Sequence, residues 1–153
     1  MNFLEFKINI AKTQKKMSKS LNILLIEDDK IEIMKFNRVL EKLNVKHKIL
    51  EANNGQEALN FFKEKAILPD IIILDLNMPI LSGLEFLTIL KNDESLMYIP
   101  SIIFSTSCNP KDILACYKLG IAGYILKPLK FEDYVERINA LLNYWSKNEL
   151  IAQ

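Results

Sequence analysis

Three short apolar runs, each ending on charge, limit what this chain can fold into. They are Leu21-Asn-Ile-Leu-Leu-Ile-Glu27-Asp28-Asp29, Pro69-Asp-Ile-Ile-Ile-Leu-Asp75 and Gly123-Tyr-Ile-Leu-Lys127. Unbroken Ile and Leu fit parallel strands covered on both faces, whereas a strand with one wet face would alternate with polar residues. Ligands of open α/β sheets gather at the carboxyl ends of such strands. Glu27, Asp28, Asp75 and Lys127 are therefore expected around one crevice. Carboxylates crowded there repel one another unless a cation joins them, so the set reads as a divalent metal site with Lys127 as a fixed counter-charge. Phosphoryl chemistry on one of the aspartates is the activity this predicts.

Between the apolar runs lie amphipathic segments, the pattern of repeated β-α units around a parallel sheet. Ile33, Phe36, Leu40 and Leu43 recur at helical spacing. A second strand is expected over 45–51, where Lys46 and Lys48 mark a sheet edge. Asn54-Gly-Gln-Glu57 and Ser82-Gly-Leu-Glu85 read as capping boxes opening the second and third helices. The fourth strand is expected over 101–105. Asn109 as cap, Pro110 at the first helical position and Gly120 as terminator frame the fourth helix. A fifth strand over 123–126 and a helix from about 131 to 145 complete five β-α units. The expected organisation is an extension over 1–20, flexible and with Met17 as an alternative start, one domain over 21–146, and a tail over 147–153.

The 153 residues suit one domain with a full core, being half apolar and a quarter charged. No apolar stretch approaches the roughly 18 residues of a membrane span, and Glu5 and Lys7 interrupt any secretory centre. A cytoplasmic location without membrane contact is expected. Residues 1–20 hold five lysines against Glu5, leaving 15 basic and 18 acidic residues beyond them. That acidic balance argues against nucleic-acid binding. Cys108 and Cys116 lack CxxC spacing and read as reduced structural thiols.

The chain resembles response-regulator receiver domains over about residues 20–145. The likeness rests on Ile-Glu27-Asp28-Asp29, Asp75-Leu-Asn77-Met-Pro79-Ile-Leu-Ser-Gly83, Ser105-Thr-Ser107 and Lys127-Pro128, each at a strand end. Tyr-Lys-Leu-Gly120 and the late Tyr144-Trp145 further resemble small stand-alone regulators of the phytochrome-linked type. The resemblance implies a flavodoxin-like (βα)5 fold with parallel strand order 2-1-3-4-5, in which Asp75 accepts a phosphoryl group as an acyl phosphate. It implies Mg²⁺, or Mn²⁺, held by Asp28, Asp75 and the Asn77 carbonyl, with Glu27 reached through water. Ser105 and Lys127 would hold phosphoryl oxygens, and Tyr124 would be the switch aromatic. Ser105 stands where threonine is commoner. Thr106 is the alternative, but strand alternation counted from Pro100 favours Ser105. Pro128 restricts the backbone after Lys127, with a cis bond as one option, and aims the lysine inward.

Plainer roles compete with each of these. Acidic residues after a strand also start helices, and Asp29 reads that way. His47, the only histidine, reads as a solvated strand residue, so a separate histidine kinase or phosphotransfer protein must supply the phosphoryl group. A haloacid-dehalogenase-type phosphatase needs a second aspartate where Asn77 stands. A flavodoxin-like cofactor binder would find Glu27-Asp28-Asp29 repelling its phosphate. A degenerate, phosphorylation-independent binding module is opposed by the intact acidic set. The expected role is therefore a signalling switch rather than an enzyme on free substrate, with output through protein contacts. Tyr134, Tyr144 and Trp145 suggest an aromatic surface on the last helix, and a downstream partner or second copy of the chain is expected on the face of helix four, strand five and helix five.

Overall fold

The computed structural model describes residues 2–5, 19–64 and 68–151. Strands β1 (Asn22–Ile26), β2 (Lys48–Ala52), β3 (Ile71–Leu74), β4 (Ser101–Ser105) and β5 (Gly123–Leu126) alternate with helices α1 (Lys30–Leu43), α2 (Gly55–Glu64), α3 (Gly83–Asn92), α4 (Pro110–Lys118) and α5 (Phe131–Trp145). The strands form one parallel sheet in the expected order, β2-β1-β3-β4-β5. Its apolar runs are continuous because both faces are covered. Ile23, Leu25, Ile71 and Ile73 pack with Phe36, Val39, Tyr134 and Ile138 of α1 and α5. The alternate residues Leu24, Ile26, Ile72 and Leu74 pack with Ala58, Phe86 and Leu90 of α2 and α3 and with Cys116 of α4. Burying each Ile or Leu contributes about 1.5–3 kcal/mol.

The register sets up the crevice. After β2 the chain crosses to the other side of β1 to form β3, so the switch point lies between the carboxyl ends of β1 and β3. Ile26 pairs with Leu74 there, and Ser105 pairs with Leu126. The next residue along each strand is thus brought to one end of the sheet: Glu27, Asp75, Thr106 and Lys127. All peptide bonds of the described residues are trans, that before Pro128 included.

Helix starts follow their sequence signals with one difference. Asp29 caps α1 by accepting from the Ile31 amide, and Asn109 caps α4 with Pro110 in the first turn. Ser82 and Glu85 form the full reciprocal box on α3. At α2, Asn54 accepts from the Glu57 amide at 2.9 Å, but the Glu57 carboxylate accepts from the Asn53 amide instead of completing a box with Asn54. Gly120 follows α4 at φ +84, the left-handed conformation that glycine tolerates.

Other expectations change. β2 begins at Lys48, so His47 lies before the strand and is not simply solvated. Its Nδ1 accepts the Leu21 N–H at 3.0 Å, and burial lowers its pKa. Tyr134 is buried, 1% exposed, because its ring packs edge-on against Phe104 at 5.0 Å. Trp145 also packs on the core, leaving Tyr144 as the exposed aromatic of the three. In the tail, Leu150 packs against the core, and the Lys19 amide donates to the Ser146 carbonyl. Most of the 1–20 extension, Met17 included, lies outside the described residues.

Candidate functional site

The cleft at the carboxyl end of the sheet is lined by Glu27, Asp28, Asp29, Glu32, Asp75, Asn77, Thr106 and Lys127. Lys127 Nζ lies 2.6 Å from Glu27 Oε2, 3.7 Å from Glu32 Oε2 and 3.9 Å from Asp75 Oδ2. One ammonium thus faces three carboxylates. Carboxylate oxygens of Glu27, Asp28 and Asp75 lie within 4.8 Å of one another. Hard oxygen donors this close, with excess negative charge and Asp28 exposed at the mouth, fit a divalent cation.

Asp75 is 8% exposed. Its Oδ1 accepts the Leu76 N–H at 2.9 Å, and the Ser105 hydroxyl and Asn77 amide are near enough to favour its charged form. Burial pushes its pKa up against the opposing pull of Lys127 and these donors. Glu27 is likewise raised by burial, although Lys127 sits against it. Desolvation prevails at both acids because the single ammonium is divided among three partners. Lys127 itself moves up, its carboxylate neighbours outweighing burial.

Backbone packing fixes the acceptor strand end. The Gly83 amide donates to the Leu76 carbonyl at 3.0 Å, and a Cβ on Gly83 would lie 2.8 Å from Leu76 Cα. The start of α3 therefore rests directly on the backbone of Asp75 and Leu76. Between them, Ile80 turns the loop at φ 69, a conformation unusual for a β-branched residue.

Of the two hydroxyl candidates on β4, Ser105 is fully buried and its hydroxyl favours the charged form of Asp75, while Thr106 is exposed along the cleft wall. A chain of contacts continues outward. The Ser107 amide donates to Ser105 Oγ at 3.3 Å, the Ser107 hydroxyl donates to Asp112 at 2.8 Å, and the Tyr124 hydroxyl donates to the Ser107 carbonyl at 2.8 Å. Sequence reading found both ends of this chain and gave its middle, Ser107, no role. It also missed Glu32, which in the sequence reads only as an acid in the first turn of α1. His47 lies at the opposite, amino-terminal end of the sheet from Asp75, beside Leu21.

Comparison with known proteins agrees with this geometry. The probable methanogenesis regulatory protein FilR2 of Methanothrix harundinacea is 32% identical over 127 residues, 80% of this chain and 82% of that protein. The phosphorylated cyanobacterial phytochrome response regulator RcpA superposes with a TM-score of 0.81 at 31% identity, over 88% of this chain and all of that one. The Mn²⁺-bound form of Rcp1, a response regulator also known from Synechocystis, does so with a TM-score of 0.79 at 28% identity, over 86% and 99%. No helix among the described residues is long and apolar enough to cross a membrane. The family profile of the response regulator receiver domain matches residues 23–139, and with the acidic cleft, the lysine and the sheet order already in place the chain belongs to that family.

Proposed function

We propose that this chain is a phosphorelay switch in which Asp75 accepts a phosphoryl group from a partner histidine kinase or phosphotransfer protein. The observation that carries the reading is the placement of Asp75. It is a buried carboxylate held by the Leu76 N–H, 3.9 Å from Lys127 and within a cluster of acids. An Asp75 oxygen forms the new bond to phosphorus, and the electron pair of the broken bond leaves with the donor. Ser105 and Lys127 hold phosphoryl oxygens, and the Lys127 charge offsets the negative charge brought by the group. Asp28, Asp75 and the Asn77 carbonyl would hold Mg²⁺ or Mn²⁺, with Glu27 reached through water. When bound, that ion neutralises charge on the phosphoryl oxygens and orients them.

Output follows from the same contacts. A phosphoryl group on Asp75 draws the Ser105 hydroxyl toward it. Ser105 is joined through Ser107 to Tyr124, so a shift at Ser105 reaches β5 and α4. Leu114, Tyr117, Leu126 and Tyr144 are exposed on α4, β5 and α5, an apolar face suited to a downstream protein or a second copy of the chain. A cytoplasmic setting and a residue 21–146 receiver unit belong to this reading. Incubation with acetyl phosphate and Mg²⁺ should add one phosphoryl group by intact mass, and chelator should prevent it. Uptake that persists in chelator would refute the ion-dependent part; no uptake at all would refute the reading.

A further inference from the structure

Glu32 is a carboxylate of the cleft that neither caps a helix nor belongs to the proposed acceptor and ion-binding set. A glutamate in a first helical turn ordinarily serves the positive end of the helix and faces water. Glu32 instead turns inward. Its side chain is 21% exposed, and Oε2 is buried without a hydrogen-bond partner, 3.7 Å from Lys127 Nζ. Behind it, Lys35 Nζ approaches Oε1 at 3.5 Å and lies 4.3 Å from the centre of the buried Tyr134 ring. A buried acceptor left unsatisfied is costly and calls for a partner in some state of the protein.

Lys127 can be that partner. Its ammonium carries three N–H donors. Glu27 takes one at 2.6 Å, while Glu32 and Asp75 flank it at 3.7 and 3.9 Å, just beyond hydrogen-bond reach. Loading the cleft upsets this balance, because a carboxylate that shares its charge with a cation is a weaker acceptor, and a phosphoryl group on Asp75 draws the ammonium strongly. Resting on the roles proposed above for Asp75 and Lys127, we propose that Glu32 is a positioning residue. Its Oε2 takes an N–H of Lys127 as Glu27 releases it, and so holds the ammonium against the phosphoryl group. Glu32 touches neither donor nor acceptor and acts only through Lys127.

The test compares wild type, Glu32→Ala and Glu32→Gln as full chains. Alanine favours helix, so both variants should fold, as thermal melting will show. Glu32→Ala should slow phosphoryl uptake from acetyl phosphate about tenfold and weaken beryllofluoride binding by a similar factor in calorimetric titration. Its Mg²⁺ affinity should stay within about threefold of wild type, since Glu32 is no ligand. Glu32→Gln keeps an acceptor oxygen at the same reach and should recover uptake to within about threefold. If Glu32 served only the helix end, uptake would not change in either variant. If it acted only by repelling anions, uptake would rise in both. Either result, or a glutamine variant as impaired as the alanine one, overturns the proposal while the acceptor reading stands. A wild-type chain that takes up no phosphoryl group overturns both.

Discussion

Replacing Gly83 by alanine probes how far the acceptor depends on the helix packed beneath it. A Cβ there would overlap the Asp75 carbonyl oxygen and lie 2.8 Å from Leu76 Cα and 3.2 Å from the Asp75 carbonyl carbon. These are backbone atoms, so no rotamer change can relieve the contact. The start of α3 and the end of β3 must separate by roughly half an ångström or more in an interior packed as densely as a crystal. Such overpacking costs about 1–3 kcal/mol, and alanine's better helix propensity returns at most about 1 kcal/mol. From the middle of that range, a net loss of about 1–2 kcal/mol should lower the melting temperature by about 2–8 °C for a chain of this size. Phosphoryl uptake should fall about tenfold or more, because the displacement falls on the nucleophile's own residue. Gly123→Ala is the control. A Cβ there meets only Ile102 Cγ2 at 4.0 Å, so stability should hold or rise by about 0.5 kcal/mol. Circular dichroism melts and initial uptake rates would decide it. A Gly83→Ala protein melting within about 1 °C of wild type and phosphorylated at the same rate would refute the packing argument.

Asp28→Ala should abolish most divalent-ion binding in calorimetric titration, whereas Lys127→Ala should keep it and lose most phosphoryl uptake; the reverse pattern would contradict the assigned roles. Tyr124→Phe removes the bond to the Ser107 carbonyl while leaving Asp75 untouched, so uptake should persist and the beryllofluoride-induced change in amide exchange across β4–α5 should shrink. The pH dependence follows from burial, which raises the Asp75 and Glu27 pKa values. A carboxyl whose folded pKa exceeds its unfolded one adds stability below the unfolded pKa, and that stability is lost as pH rises through the folded pKa. The ion-free protein should therefore lose melting temperature as pH climbs from the ordinary carboxylate range through these raised values, and Mg²⁺ should restore it. Uptake should rise over the same window as Asp75 ionises. An ion-free melting temperature that climbs through that window would contradict the burial argument.

The strands and helices were legible because both faces of the strands are covered, which leaves unbroken apolar runs such as Ile71–Leu74, and because the helices between them carry strong caps; the strand order came from the resemblance to receiver domains. The acids and Lys127 were legible because parallel strands deliver their carboxyl ends to one crevice. Less visible were features that depend on where side chains settle in three dimensions. Periodicity alone could not tell whether Tyr134 faces water or Phe104, since both sides of an amphipathic helix boundary carry aromatics in α5. Nothing local marks Ile80 as left-handed; the turn onto α3 imposes it. Glu32 looks like any first-turn acid until Lys127, far along the chain, is placed 3.7 Å away. Ser107 likewise gains its meaning only from Ser105 beside it and from Tyr124 on the neighbouring strand.

The most direct test of the central claim is to locate the phosphoryl group. Protein treated with acetyl phosphate and Mg²⁺ would be reduced with borohydride, which converts an aspartyl phosphate to homoserine, then digested and sequenced by mass spectrometry. The modification is predicted at Asp75 and at no other residue, and it should be absent from Asp75→Asn protein treated in parallel. Conversion at Asp28 in the wild-type chain, or undiminished uptake by Asp75→Asn, would contradict the account.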